Sequence, residues 1–286
     1  ERTALGYLLS EQVLTAINHD LKNAIFSFIP NTAEVAFYGL VKGVEDYLNR
    51  VKIERILSWG DQLDEEKLSE MINRRIRQEK IAIKDVKLRT FITEDASRNE
   101  MVQHVYDITY GTVTPQKDVL VVIDDSIVRG TTLKESIIRM LSRLQPKKII
   151  IVSSAPQIRY PDCYGIDMSK LGDFIAFRAA MQLWKDKGQE DLLQKLYTRC
   201  KELQRTGALH TENMVKQVYA PFSTQEISDK IAQLITPSDI TFPVQVIFQT
   251  IESLHEACPT NTGDWYFTGN YPTPGGNRVV NKAFLN

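Results

Sequence analysis

Residues 119–141 read VLVVIDDSIVRGTTLKESIIRML, and the stretch changes character twice. The apolar run over 119–123 has the length and the Val/Ile content of a strand covered on both faces. Two carboxylates, Asp124 and Asp125, follow at once. A polar turn over 126–132 then opens a second apolar segment, which reads as a helix over about 131–143.

In a doubly wound sheet, ligands sit at the carboxyl ends of the strands, which is where Asp124 and Asp125 fall. Adjacent carboxylates repel, so burying both is unfavourable unless hydroxyl groups or a cation answer them. A ribose diol with Mg²⁺ close by would do both. Gly130 lets the backbone approach a ligand, and the hydroxyls of Ser126, Thr131 and Thr132, with free N–H groups at the helix start, make an anion site. A diol on one side and a phosphate on the other describe a sugar 5-phosphate. Read alone, the same residues also fit a plain helix cap at Asp125 or Ser126.

Working outward, AIFSFIP (24–30) reads as a short buried strand. Before it, Leu5, Leu8, Leu9, Val13, Ala16 and Ile17 have the spacing of an amphipathic helix. Asn31 with Glu34 three residues on has the form of an N-cap and capping box for a helix over about 32–49. KIERIL (52–57) reads as a further strand, and the charge-rich 61–80 as a solvated helix inserted into the fold. VKLRTFI (86–92) is another strand, leading into a long polar connection over 93–117. KKIIIVSS (147–154) has the Ile/Val content of a strand buried on both faces.

Strands alternating with helices predict the α/β class, with a doubly wound, mainly parallel sheet. From about 170 the texture turns helical, and much of 180–235 reads as inserted. Gly, Pro, Asn and aromatic residues predict an irregular tail over 257–286. The expected division is a core over 1–185 and a mostly helical extension over 186–286 that packs on it.

Composition narrows the partners. With 43% hydrophobic and 25% charged residues and a net charge of −1, the chain has no general attraction for nucleic acid or an anionic membrane. No apolar run approaches the ~18 residues of a spanning helix. Cys163, Cys200 and Cys258 are an odd, scattered set, which fits a reducing cytoplasm. His19, His104, His210 and His255 lack zinc-ligand spacing. The chain starts at Glu1 inside a helix, so a domain cut from a longer chain is expected.

VIDDSIVRGTT (122–132) resembles the phosphoribosyl-pyrophosphate (PRPP) signature of type I phosphoribosyltransferases, in the form found in the amidophosphoribosyltransferase (glutamine PRPP amidotransferase) family. FIPNTAEVAFYG (28–39) resembles that family's pyrophosphate loop and the helix after it, and LRTFI (88–92) the strand before its flexible catalytic loop. SSAPQIRYPDCYGIDM (153–168) and FTGNYPT (267–273) resemble later segments, in the family's order.

The resemblance implies a type I phosphoribosyltransferase fold and attack of ammonia on C1 of PRPP, giving phosphoribosylamine and pyrophosphate. Asp124 and Asp125 would bind the ribose hydroxyls and Mg²⁺. Ser126, Arg129, Gly130, Thr131 and Thr132 would cradle the 5-phosphate. Asn31 and Thr32 would lie at the pyrophosphate, and Tyr164, Gly165, Ile166 and Asp167 on the acceptor side. An N-terminal glutaminase domain like the family's is expected to be missing from this chain, no iron–sulfur cluster is expected, and a homo-oligomer is. The family's flexible loop is basic, whereas residues 93–115 set Arg98 and His104 against Glu94, Asp95, Glu100 and Asp107. Arg89, just before the loop, compensates in part. The acidic balance supports a competing reading, a PRPP-binding regulatory protein of the same fold that has lost turnover.

Overall fold

A computed structural model describes residues 1–30, 32–84, 106–162, 168–261 and 263–286. The strand expected over 86–92, most of the acidic connection, Arg89, Asn31, Cys163, Tyr164, Gly165, Ile166 and Asp167 lie outside the described residues.

Two helices, α1 (Arg2–Leu8) and α2 (Ser10–Ala16), precede strand β1 (Ala24–Phe28). Helix α3 (Glu34–Trp59) and α4 (Glu65–Asn73) follow, then the short strands β2 (Arg77–Gln78), β3 (Ala82–Lys84) and β4 (Tyr106–Ile108). The remaining strands are β5 (Val119–Asp124), β6 (Lys148–Ser153) and β7 (Val244–Phe248). Five of these form one sheet in the order β2-β1-β5-β6-β7, every pairing parallel, while β3 and β4 make a separate antiparallel pair. From β1 the chain winds first to β2 on one side and later to β5, β6 and β7 on the other. The strand order therefore reverses between β1 and β5, which is where doubly wound folds bind ligands.

Side chains alternate across the sheet with the two-residue period of a strand. Leu120, Val122, Ile149, Ile151, Val246 and Phe248 face one core, roofed by the helices Ile175–Asp186 and Thr224–Ile235. Val121, Ile123, Ile150, Val152 and Ile247 face the other, beneath α1, α2 and α3 through Leu9, Val13, Leu40 and Val44. Burial on both faces is why β5 and β6 read as continuous apolar runs. Among the described residues no helix is long and apolar enough to cross a membrane.

Several expectations are corrected. Residues 52–57 belong to α3, which runs unbroken to Trp59. Ile53 and Ile56 suit either period over so short a run, and no Gly or Pro stands between Gly43 and Gly60. The helix starts at Glu34 with Ala33 as N-cap and no side-chain cap, so no capping box forms; the Glu34 carboxylate accepts from Tyr38 Oη at 2.9 Å instead. The segment 61–80 is no simple solvated insertion, because its helix ends at Asn73, Met71 and Ile76 are buried, and Arg77–Gln78 joins the sheet as β2. Nor is 180–235 an addition, since Trp184, Ile227, Ile231 and Ile235 fill the main core. Chain from beyond residue 186 supplies β7 to the sheet, and the tail expected to be irregular carries the helix Pro274–Leu285.

The amino-terminal helices cross α3 at backbone contact. A Cβ on Gly39 would stand 1.9 Å from the Thr3 carbonyl oxygen, and one on Gly6 1.7 Å from that of Ala36. Both neighbours are main chain and cannot swing aside. Gly39→Ala is expected to destabilise the fold by about 1–3 kcal/mol through overpacking, measured as a lowered urea midpoint. An unchanged midpoint would show that the helix pair separates freely.

Candidate functional site

Strand β5 ends at Asp124, beside Phe28 and Ile29 of the β1 end, where the Ile29 N–H donates to the Ile123 carbonyl at 2.9 Å. The Asp125 N–H donates to Asp124 Oδ1 at 2.8 Å, and the Ser126 N–H to Asp125 Oδ1 at 2.9 Å. Each carboxylate thus bends the chain over itself through one oxygen, and the Asp124 side chain also meets that of Asp125. Neighbouring β6 braces the pair. Ser154 donates its N–H to the Asp124 carbonyl at 2.9 Å and its hydroxyl to the Asp125 carbonyl at 3.1 Å.

Burial raises the pKa of Asp124 well above its ordinary value, and the charge on Asp125 adds to the rise. Asp125 itself is exposed. No basic side chain forms an ion pair with either carboxylate among the described residues. A half-buried carboxylate held next to a second one suits a divalent cation or a sugar diol, both of which stabilise the charged form. No group of three or more His, Cys, Asp or Glu poised to hold a metal occurs among the described residues.

The turn after Asp125 is built to leave its polar groups free. No N–H from Ile127 to Gly130 makes a hydrogen bond among the described residues, and the hydroxyls of Ser126, Thr131 and Thr132 are likewise unbonded. Thr131 and Thr132 are exposed at the start of the helix. Gly130 has φ +72°, and a Cβ there would lie 2.9 Å from Ile235 Cγ2. Only glycine suits both the conformation and the space. The expected helix over 131–143 opens instead with a π-turn, Leu133–Ile138, before the α-helical Arg139–Ser142. Such turns recur at functional sites.

Residues far along the chain hold this turn, and nothing in the local sequence announces them. Ile175 donates its N–H to the Val128 carbonyl at 2.7 Å, Arg178 donates to the Arg129 carbonyl, and Asp173 pairs with the Arg129 guanidinium at 3.6 Å. Of the other site residues expected from sequence, Thr32 is exposed in the turn between β1 and α3, on the same side of the sheet as Asp124. The structure thus brings Thr32, Asp124, Asp125 and residues 126–132 to one end of the sheet.

No family model matches the chain. Among curated proteins, the amidophosphoribosyltransferase of Pasteurella multocida is 54% identical over 61 residues, covering 21% of this chain and 12% of that protein. The Escherichia coli enzyme of the same name is 53% identical over 60 residues, with the same coverage, and that of Saccharomyces cerevisiae 45% over 58 residues. Among solved structures, the glutamine PRPP amidotransferase from B. subtilis complexed with ADP and GMP superposes with a TM-score of 0.51 at 21% identity, over 95% of this chain and 42% of that one. A second, described as the allosteric regulatory enzyme of purine biosynthesis, gives 0.52 at 21% identity, over 95% and 41%. The chain spans less than half the length of these structures, and its match to the curated relatives spans about an eighth of theirs. The fold is the α/β fold of the PRPP amidotransferases, and the resemblance to amidophosphoribosyltransferases extends through fold over nearly the whole chain and through sequence over about a fifth of it.

Proposed function

We propose that this chain is the phosphoribosyltransferase portion of an amidophosphoribosyltransferase, transferring ammonia to C1 of PRPP with release of pyrophosphate, the first step of purine synthesis, in the cytoplasm. The observation that carries the reading is the pair Asp124–Asp125 at the strand-order reversal, followed by a turn with free N–H and hydroxyl groups. In this reading the two carboxylates hold the ribose hydroxyls, and residues 126–132 hold the 5-phosphate through Ser126, Arg129, Thr131, Thr132 and the Gly130 backbone. Thr32 and Asn31 approach the pyrophosphate, Tyr164 and Asp167 the acceptor side, and Arg89 the departing charge. Asp124 and Asp125 would hold Mg²⁺ together with PRPP, and the ion would neutralise diphosphate charge. The protein's own contribution is to fix the ribose, place C1 before the incoming ammonia, and surround the developing positive charge with oriented dipoles.

A second reading, a PRPP-binding regulator without turnover, draws support from the acidic balance of residues 93–115. One experiment separates the two. With PRPP, Mg²⁺ and ammonium, the enzyme releases pyrophosphate at a rate that a doubly substituted Asp124→Asn, Asp125→Asn protein does not match. Equal rates would refute the transferase reading. A PRPP-induced rise in melting temperature without pyrophosphate release would establish the regulator, and neither response would refute both.

A further inference from the structure

Beside β7, the last strand of the sheet, lies a cleft of about 620 Å³, a volume usual for small-molecule sites. One wall is α2, on the face of the sheet that α1 and α3 cover. The other is the start of the helix Thr224–Ile235, on the opposite face. The floor is residues 245–251, of which Val246, Ile247 and Phe248 are buried. The chemistry of the cleft therefore comes from side chains. Neither Thr32 nor any residue from Asp124 to Thr132 lines it.

Arg159 is the only basic residue among the described residues that line the cleft, and its guanidinium is fixed without being neutralised. Nε and Nη2 donate to Gln157 Oε1 at 3.0 and 2.7 Å, and Nη2 also donates to Thr224 Oγ1 at 3.3 Å. Gln157 is buried and held in turn, its Nε2 donating to the Thr224 carbonyl at 2.9 Å and to Ser228 Oγ at 2.8 Å. The guanidinium carbon lies 5.3 Å from the centre of the Tyr219 ring. Nη1 makes no hydrogen bond, and no carboxylate pairs with Arg159, among the described residues. Burial lowers the Arg159 pKa. A cation drawn out of water with no anion beside it is unfavourable, and an anionic ligand relieves the cost.

The other side of the cleft is acidic. Glu11 lies on α2, and Glu252 on the helix Ile251–Ala257 that packs against α1. Both are exposed, and neither has an ion-pair partner among the described residues. A polyanion seated on Arg159 would meet these two carboxylates, whereas an amine would be drawn to them. The half-buried amides of Gln12 and Gln245 also line the cleft and make no hydrogen bond among the described residues.

We propose that this cleft is a second small-molecule site and that it takes a zwitterion of the short-peptide class, with free termini. Its carboxylate would meet Arg159, its amine would face Glu11 and Glu252, and its peptide groups would answer Gln12 and Gln245. The two walls stand on opposite faces of the sheet, so the ligand must carry its charges at separate ends. An extended tripeptide, reaching about 10 Å, does so. The guanidinium is already held in place by neutral partners, so binding has little ordering to do there. The inference stands apart from the transferase reading, since the two sites share no residue.

The test is a ligand-detected NMR titration of the full chain with triglycine, with acetyl-triglycine, which lacks the amine, and with triglycine amide, which lacks the carboxylate. The expected result is saturable, millimolar binding of triglycine. Triglycine amide should bind about tenfold more weakly, the loss of a hydrogen-bonded charge. Acetyl-triglycine should bind about threefold more weakly, because Glu11 and Glu252 are exposed and exposed ion pairs contribute little. In a Glu11→Gln, Glu252→Gln double variant, triglycine should lose its advantage over acetyl-triglycine. Arg159→Gln should remove the advantage of triglycine over triglycine amide. If that variant does not fold, the blocked peptides and the double variant, altered only at exposed positions, decide. No saturable binding of triglycine, or triglycine amide binding as tightly as triglycine, would overturn the proposal. So would acetyl-triglycine matching triglycine, since the cleft would then be a plain anion site.

Discussion

Asp124→Asn is expected to make the ligand-free protein more stable at neutral pH while weakening PRPP binding by about 10- to 100-fold. The binding loss corresponds to the 1.5–3 kcal/mol of a hydrogen bond to a charged group. The stability gain follows from the raised pKa of Asp124, caused first by burial and then by Asp125. A carboxyl whose pKa is raised on folding holds a proton in the native state that the unfolded chain has already released. Stability therefore falls as pH rises from 3.8 through the folded-state pKa, and above that window the native protein carries the whole penalty. The Asn side chain carries none. Its advantage at pH 7 should be about 1 kcal/mol, the usual size of a relieved functional strain, and should vanish as pH falls towards 3.8. Urea unfolding in EDTA at pH 7 and near pH 4, with a PRPP titration at pH 7, checks all three outcomes. A variant less stable than the parent at pH 7 would mean that Asp124 is a structural residue and not a ligand-facing one. Asp125→Asn, at an exposed position, should change stability far less while also weakening PRPP binding.

That expected trade between stability and binding is what made the candidate site legible in sequence. Two carboxylates at the end of a run such as VLVVI break the local agreement between pattern and burial, and such breaks mark functional positions. The strands β1, β5 and β6 were legible for a related reason, since their apolar residues are contiguous and bounded by turns. Other parts carry too little local signal. β2 is two residues long and exists because Ile25 and Phe26 offer it a backbone edge. β7 resembles β6 in composition, but nothing in VQVIF says that its partner lies some ninety residues earlier. KIERIL failed in the opposite way, because a six-residue apolar pattern fits two periods and the long helix around it decides. The groups that brace the site, Ser154, Asp173, Ile175 and Arg178, reach it from other loops and helices through backbone carbonyls. A carbonyl acceptor leaves no trace in residue identity, so only the fold reveals them.

Arg77→Met should be the most destabilising exchange of a charged residue, by about 3–5 kcal/mol, the loss expected when a buried carboxylate is left without its cation. Asp118 is 1% exposed at the foot of β5, and Arg77 reaches it across β1 from the edge strand β2. The pairing is bidentate, Nη1 to Oδ1 at 2.7 Å and Nη2 to Oδ2 at 2.8 Å, and the Thr114 N–H donates to Oδ2 at 2.7 Å. Arg77 Nη2 also bonds the Thr112 carbonyl at 3.0 Å, so one guanidinium joins a two-residue strand, the sheet's centre and the turn before β5. Burial pushes the Asp118 pKa up, but the Arg77 and Thr114 hydrogen bonds outweigh it and hold the group below 3.8. The sign is opposite to that at Asp124. The native carboxylate stays charged where the unfolded one has begun to take a proton, so the stability it lends is complete above 3.8 and lost as pH falls through the lower folded-state value. Lys at position 77 would keep the charge but not the two parallel hydrogen bonds, and should recover only part of the loss. Asp118→Asn with Arg77→Met removes both charges, and should be less damaging than Arg77→Met alone. Urea unfolding of the parent, Arg77→Met, Asp118→Asn and the double variant as a double-mutant cycle measures the coupling. Additive effects would show that the pair is incidental and that β2 is held to the sheet by its backbone alone.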